Sequence, residues 1–411
     1  MKYNLIILFI IFSIFIIPQS KDSTEVKEIK TKIDSLKHQL KNLDDKLNEL
    51  EKVKPDTTSK ADEEIPGDQR SKRRQIDSLL SLLDQKVGGL NINGNATSII
   101  QYNFQEEKNI GTATGSFDVY LYSNFGDIFL FFVDLEAIGG NGPNQFINTF
   151  SSLNADAGTL QSADGIDRLN VLEAWVEFAP FDNALVITTG KIDLTNYFDI
   201  NNVANDETYQ FISGAFVNSS AFAAPSNSPG IRFRTVIEDF LSVQLGCVKI
   251  DNTGFKIFSD LFKIGSLGFT ILQDSDFESN VRLYGYTAGN IKNSNGFGLS
   301  IDQYFLRMFT IFGRFTKNNF DIAKFLGIKS SWSAGVQFLT NPFDYSIRLG
   351  FAAGKSLPLN SFLLNEINYE LYGGYKINQW TNISLHFQYV KNAGGFNKDF
   401  FITGLRTQFN F

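Results

Sequence analysis

Glu173, Trp175 and Glu177 sit at alternate positions of one apolar segment. Residues two apart in an extended chain point the same way, so the three share a strand face. Two carboxylates flanking an aromatic could supply the acid, the nucleophile and the platform for glycoside hydrolysis. Four strand positions, however, separate the carboxylates by about 13 Å, too far for a direct catalytic pair. The same trio suits sugar contact: the indole stacks on the apolar face of a sugar and the carboxylates accept its hydroxyl hydrogens. A strand that simply turns a polar face to water explains the trio equally well. The chain has two histidines, His38 and His386. A Ser-His-Asp triad would have to use one of them, and His386 is the reasonable candidate. An exposed or pore-facing polar role is the simpler expectation for both. The sequence contains no HExxH, no Gly-rich phosphate loop, no regular calcium loop and no close His/Cys cluster. No metal, cofactor or enzymatic activity is therefore expected.

A longer polar stretch follows. It reads Gly190-Lys191-Ile192-Asp193, continues through Asp199, Asn201 and Ala204-Asn205-Asp206, and ends Thr208-Tyr209-Gln210-Phe211. Ser228-Pro229-Gly230-Ile231-Arg232-Phe233-Arg234 comes next. Lys191 and Asp193 are expected on one strand face, with Asp199, Asn201, Asn205 and Asp206 in the loop beyond. Roughly 35 residues from Leu194 to Ser228 are long for a hairpin connection. Such a loop is expected to fold into a barrel and narrow it. Arg232 and Arg234 share a face of the next strand, and Arg282, Tyr284 and Tyr286 share another further on. Cations opposite the loop carboxylates would set up a transverse field that orients polar solutes.

These motifs resemble the carbohydrate-selective porin family of Gram-negative bacteria and cyanobacteria. That family carries a GK-D segment, then about ten residues later AND-T-QF, then N-P-G-R. The match is good from Trp175 to Arg234 and looser over Leu90 to Phe411, and the last motif here departs to Ser228-Pro229-Gly230-Ile231-Arg232. The resemblance implies a sixteen-stranded barrel with a narrow, sugar-permeable lumen, and a trimer, as in general porins. Cyanobacterial members place a wall-gripping periplasmic domain ahead of a coiled coil. Too few residues precede the coil here for that domain, so peptidoglycan attachment is not implied. Some family members are general small-solute channels.

The elements that must position these residues are strands. From Leu90 onward the apolar pattern has period two, with about sixteen candidate strands in roughly 320 residues. That allows about twenty residues per strand and turn, enough for transmembrane strands of about 9 to 11 residues. Closure is expected because an open edge leaves amides unpaired in hydrocarbon. Aromatic residues make up 14% of the chain, with 41 Phe, as suits a strand-built wall, although a soluble all-β domain with a Phe-rich core shares that composition. In the last segment Leu405, Phe409 and Phe411 share an apolar face opposite Arg406, Gln408 and Asn410. That pattern suits a closing strand and matches the recognition signal of barrel-assembly machinery.

Upstream, residues 1–20 read as an export signal, with Lys2, the apolar run Leu5 to Ile17, and Pro18. Residues 21–53 carry a heptad seam, Val26, Ile29, Ile33, Leu36, Leu40, Leu43, Leu47 and Leu50, spaced by three and four. A coiled coil and a homo-oligomer are expected, unless the stripe packs on the chain's own barrel or on a partner. Residues 54–70 read as a linker, 71–89 as a short helix ended by Gly88-Gly89, and 90–411 as the barrel. The formal charge of −7 argues against nucleic acid, and the single Cys247 allows no intrachain disulfide. The expectation is an outer-membrane channel in contact with lipid, its N-terminal region periplasmic, passing small polar solutes and sugars in particular. The competing reading is a structural tether whose barrel is closed or weakly permeable.

Overall fold

The computed structural model describes residues 89–411 except 105–108, 127, 159–167, 182–183, 239, 252–253 and 341–345. The expected export signal, coiled coil and linker lie outside the described residues, as does the short helix up to Gly89. Sixteen strands follow: β1 Asn91–Phe104, β2 Ile110–Phe125, β3 Phe129–Gly140, β4 Arg168–Phe178, β5 Leu185–Ile192, β6 Ser228–Ile237, β7 Leu241–Lys249 and β8 Leu261–Ile271. The second half comprises β9 Ser279–Ala288, β10 Gly296–Phe305, β11 Phe309–Asn318, β12 Ile328–Thr340, β13 Ile347–Pro358, β14 Glu366–Lys376, β15 Thr381–Lys391 and β16 Phe400–Asn410. Each pairs antiparallel with its sequence neighbours, and β1 pairs with β16, so the sheet is a closed barrel with no edge.

Alternation sets the two faces of the wall. In β16, Phe400, Ile402, Arg406 and Gln408 are buried, while Phe401, Leu405 and Phe409 are exposed. Phe117, Phe129, Phe297, Phe309, Phe351 and Phe387 are likewise turned outward. A wall this apolar outside and polar inside calls for a hydrocarbon surround. At the seam, Gly94 and Phe411 exchange two backbone hydrogen bonds of 3.0 Å. The Phe411 ring lies over Gly94, where an added Cβ would come within 2.5 Å of its Cζ, and stacks on Phe117 at 5.5 Å.

One irregularity decides which β4 side chains face inward. Asp134 pairs with Glu173, but Leu135 pairs with Val171, leaving Leu172 as an extra residue. This bulge lets Val171 face outward while Glu173, Trp175 and Glu177 face inward.

The two ends of the barrel differ. Short connections such as 238–240, 306–308 and 377–380 close one end. The other end carries the connections 141–167 and 193–227, and both send residues into the lumen.

Candidate solute path and its inner loop

The loop 193–227 is held inside the barrel by its own turns and by the wall. Asp193 Oδ1 accepts from the amide and hydroxyl of Thr195, and Asp206 Oδ1 does the same for Thr208. Gln210 Oε1 accepts from the Asn205 and Asp206 amides while its Nε2 donates to Asn202 O. Ser213 caps the short helix Gly214–Val217 through the Ala215 amide. The Asn-Asp-x-Thr-x-Gln-Phe spacing is thus a folding code for the loop. Its Phe211 packs with Phe216 of the loop and with Phe312 and Tyr372 of the wall.

Charged wall residues fix the loop in place. Asp199 meets Arg314 at 3.5 Å, accepts from the Ser219 amide at 2.7 Å and from the Tyr284 hydroxyl at 3.0 Å. Burial pushes the Asp199 carboxyl up, and Arg314, the Ser219 amide and Tyr284 pull it back. Arg314 also donates to Phe216 O and to Asn205 Oδ1. Asn201 donates to Ile301 O, and Asn202 to Asp302, which in turn pairs with Arg282 at 2.6 Å. Glu370 accepts from the Ile212 and Ser213 amides, each at 2.9 Å. The loop tip reaches the short-turn half of the barrel, where Arg406 donates to Glu207 O, Arg348 to Tyr209 O and Gln408 to Thr208 Oγ1.

His386 belongs to this anchoring set. Its Nδ1 lies 2.7 Å from Glu370 Oε1 and its Nε2 2.8 Å from Ser384 Oγ. Arg406 Nε donates to Ser384 Oγ, so the consistent assignment has Ser384 donating to Nε2 and Nδ1–H donating to Glu370. The spacing is that of a Ser-His-acid relay, but its carboxylate is bonded to the loop and Ser384 is buried. We read it as a brace for the loop. Among the described residues there is no group of three or more His, Cys, Asp or Glu side chains able to hold a metal ion.

The sequence-expected path residues divide into two sets. Glu173, Trp175, Glu177, Arg232, Arg282, Tyr284 and Tyr286 do face the interior, yet most are covered. Trp175 is 3% exposed, stacks on Phe132 at 4.8 Å and donates to Glu173. It offers no open platform to a sugar, because the loop lies over it: Glu173 also accepts from the Asp193 amide and from Asn196. Glu177 meets Arg232 at 3.5 Å, and the Arg232 guanidinium stacks on Tyr197 at 3.9 Å. Tyr284 and Tyr286 lie beneath Phe222 of the loop. Asp193, Asn205, Asp206 and Arg234 remain partly open.

Lys191 departs from the expected shared face with Asp193. It pairs with Ala174 and Pro229 on the outer side, next to the exposed Thr189, and its amine donates to Val171 O. The strongly turned Gly190 beside it, at φ +141, brings β5 against β4, where an added Cβ would fall 2.2 Å from Ala174 O.

Sequence reading missed the second inward segment. Leu153 O accepts from Gln101 and Gln388, the Phe150 amide donates to Glu366, and Gly214 N donates to Ser152 O across to the inner loop. Ile147 and Leu153 pack on Val390, Phe400 and Ile402. The usable signal was the length of the gap after Gly139-Gly140. In the helical turn Ala155–Gly158, burial first and then Glu207 and Asp118 push the Asp156 carboxyl up to about 8. Asp118 and Glu136 are direct cross-strand partners on the inner face, and so are Asp134 and Glu173. The walls of β2 to β4 are therefore acidic, opposite the arginines of β9, β11 and β13.

No protein-family model matches the chain. An uncharacterized protein of Aquifex aeolicus (strain VF5) is 25% identical over 225 residues, which are 55% of this chain and 64% of that protein. Among solved structures, the high-pH structure of Pseudomonas putida OprB aligns with a TM-score of 0.67 at 16% identity, covering 82% of this chain and 97% of that one. Its low-pH structure aligns at 0.56 and 14%, covering 82% and 96%. A mutant of the Rh. blastica porin aligns at 0.51 and 13%, covering 79% and 100%. At these identities the likeness is one of fold: a sixteen-stranded porin-type barrel.

Proposed function

We propose that this chain is an outer-membrane channel through which small polar solutes, carbohydrates foremost, diffuse passively. The observation that carries this reading is the inner loop. A barrel meant only as an anchor has no need of a loop folded through it and tied by charged wall residues. Acids on β2 and β3 face arginines on β9, β11 and β13 across the interior, so a polar solute passing between would be oriented by the field. The apolar outer wall and the fold shared with OprB support placement in an outer membrane. Preference for sugars rests on the family resemblance between Trp175 and Arg234. It also draws on neutral hydrogen-bonding side chains such as Asn93 and Asn95, bonded to Tyr122 and Tyr120. The trimer rests on the likeness to general porins and on a three-stranded coil that would match it, and the hand-over to assembly machinery on the apolar alternation of Leu405, Phe409 and Phe411.

A tether with a closed barrel is the second reading, favoured by the packing that covers Trp175, Tyr284 and Tyr286. Swelling of liposomes carrying the purified full chain separates the two. The solutes are a size series of sugars and size-matched amino acids. Faster sugar entry supports the carbohydrate channel, and equal entry supports a general pore. No entry from folded, inserted protein overturns the channel.

A further inference from the structure

The outer wall of β9 to β16 carries its charge at one end only. Among the described residues, the outward register positions of these strands hold no Asp, Glu or Arg. Their lysines, Lys317, Lys329, Lys355 and Lys391, all stand at the end with the long connections. At the short-turn end the same strands present Phe305, Phe309, Phe338 and Tyr375. Three of the lysines surround the exposed Trp332. Lys355 lies directly across from Trp332, and Lys317 across from Ser330, two positions along the same face. A bulge adds Lys329: Ile328 pairs with Pro358 but Ser330 with Leu357, leaving Lys329 as an extra exposed residue. From the strand spacing, Lys317 and Lys355 are about 12 Å apart at the backbone, a gap two lysine side chains can close from either side. None of the three amines has an ion pair or hydrogen bond among the described residues. The connections at this end, 289–295, 319–327, 359–365 and 392–399, hold two carboxylates. Asp399 is engaged by the Tyr389 hydroxyl and the Asn392 amide, and Asp321 lies one helical turn from Lys324 in the helix Phe320–Leu326.

Beside this cluster, towards the middle of the wall, the surface is hollowed. Gly313, Ala334 and Ala353 are cross-strand neighbours on β11, β12 and β13, in the row next to Trp332 and Lys355. A Cβ added at Gly313 would meet nothing closer than Ser333 O at 4.0 Å. Ile311, Val336 and Phe351 form the larger row beyond. We propose that this face seats a lipid with a phosphate headgroup, from the leaflet at the long-connection end. Lys317, Lys329 and Lys355 bind the phosphate, and one acyl chain lies in the hollow of Gly313, Ala334 and Ala353. Lysines at a membrane surface attract anionic headgroups, and a Trp ring sits at headgroup level. The lysine stems lie along the wall while their amines reach up to the phosphate. A free phosphate ion would use the amines but not the hollow. The proposal rests on the membrane placement argued above and not on permeability, so lipid retention and solute flux can fail separately.

The test uses the full chain in detergent. It is incubated with phosphatidic acid, phosphatidylcholine or diacylglycerol of the same chains, and retained lipid is counted by native mass spectrometry. One phosphatidic acid per barrel is expected, and neither of the other lipids. The triple variant Lys317→Ala, Lys329→Ala, Lys355→Ala should weaken retention about a hundredfold. Ala334→Phe fills the hollow with the lysines in place and should also lose the lipid. Lys263→Ala removes an outward lysine of β8, on another part of the wall, and should change nothing. Inorganic phosphate at matched concentration should not compete. Equal retention of phosphatidic acid and phosphatidylcholine, or full retention in the triple variant, would overturn the proposal. An equal loss in Lys263→Ala would replace the seat with a diffuse basic belt. Displacement by inorganic phosphate, or full retention in Ala334→Phe, would rule out the lipid as the occupant of the hollow.

Discussion

Removing the Glu370 carboxylate should release the inner loop. In Glu370→Ala the Ile212 and Ser213 amides, now 2.9 Å from its two oxygens, lose their acceptor, and His386 loses its partner at 2.7 Å. Each buried donor left unsatisfied costs about 1–3 kcal/mol. Water entering the vacated space recovers part of that, so a net loss of about 3 kcal/mol in loop docking is a reasonable figure. Since 1.4 kcal/mol is a factor of ten, the undocked fraction should rise about a hundredfold. Single-channel recording in planar bilayers reads this directly. The wild type should show steady openings, and Glu370→Ala larger openings with frequent steps between levels. Limited proteolysis should cut within 193–227 in the variant and spare the wild type. Glu370→Gln keeps one acceptor and should fall between the two. Identical conductance, noise and protease resistance in all three would refute the view that the loop narrows the lumen and that Glu370 holds it.

Asp156 should make the contact between the two inward loops pH-dependent. Its carboxyl is raised from 3.8 to about 8, so the folded chain binds that proton more tightly than the unfolded chain. The stability linked to it is full below about pH 4 and falls as pH rises towards 8, and Asp156→Asn should flatten conductance against pH over that window. Gly190→Ala forces a side chain at φ +141 into Ala174 O and should cost more than about 2 kcal/mol, whereas Gly126→Ala, at φ +64 in open space, should cost about 1 kcal/mol. Denaturant midpoints of the refolded barrels check the contrast. Phe411→Ala removes one ring stack and should lower stability by only about 1 kcal/mol. If the terminal ring also serves assembly, the amount of barrel inserted in cells should fall far more than the stability of purified barrel does.

How far the sequence could be read depended on the range of the interaction. The strands were legible because period two is local: in β16, Leu405 and Phe409 face out and Arg406 and Gln408 face in without reference to any other part of the chain. The inward loop was legible from length and polarity. Covering was not. Trp175 alternates with Glu173 and Glu177 as expected, but only the placement of Asp193 and Asn196 over that face shows that the indole is packed away. Lys191 was misassigned because the pattern ends at the distorted Gly190, so parity with Asp193 carries no information about its side. Arg314, Arg348, Glu370 and Arg406 were passed over although charges at inward positions of otherwise apolar strands were a visible signal. Their partners in the loop lie about 100 to 200 residues away, as in Arg314 with Phe216 and Arg406 with Glu207.

That separation has a bearing on how the barrel is built. From Tyr197 onward, most of the wall partners of the loop between β5 and β6 lie on β7 to β16, strands that follow it in the chain. Until those strands are in place, Asp199, Asn202 and the amides of Ile212 and Ser213 must be satisfied by water. The loop can therefore settle only as the sheet curls round it. The pairing of β1 with β16, sealed by Phe411 over Gly94, encloses a loop that is already inside. Closure of the seam and docking of the loop become one late event, and a chain that closes with its loop outside has no easy route to correct the error.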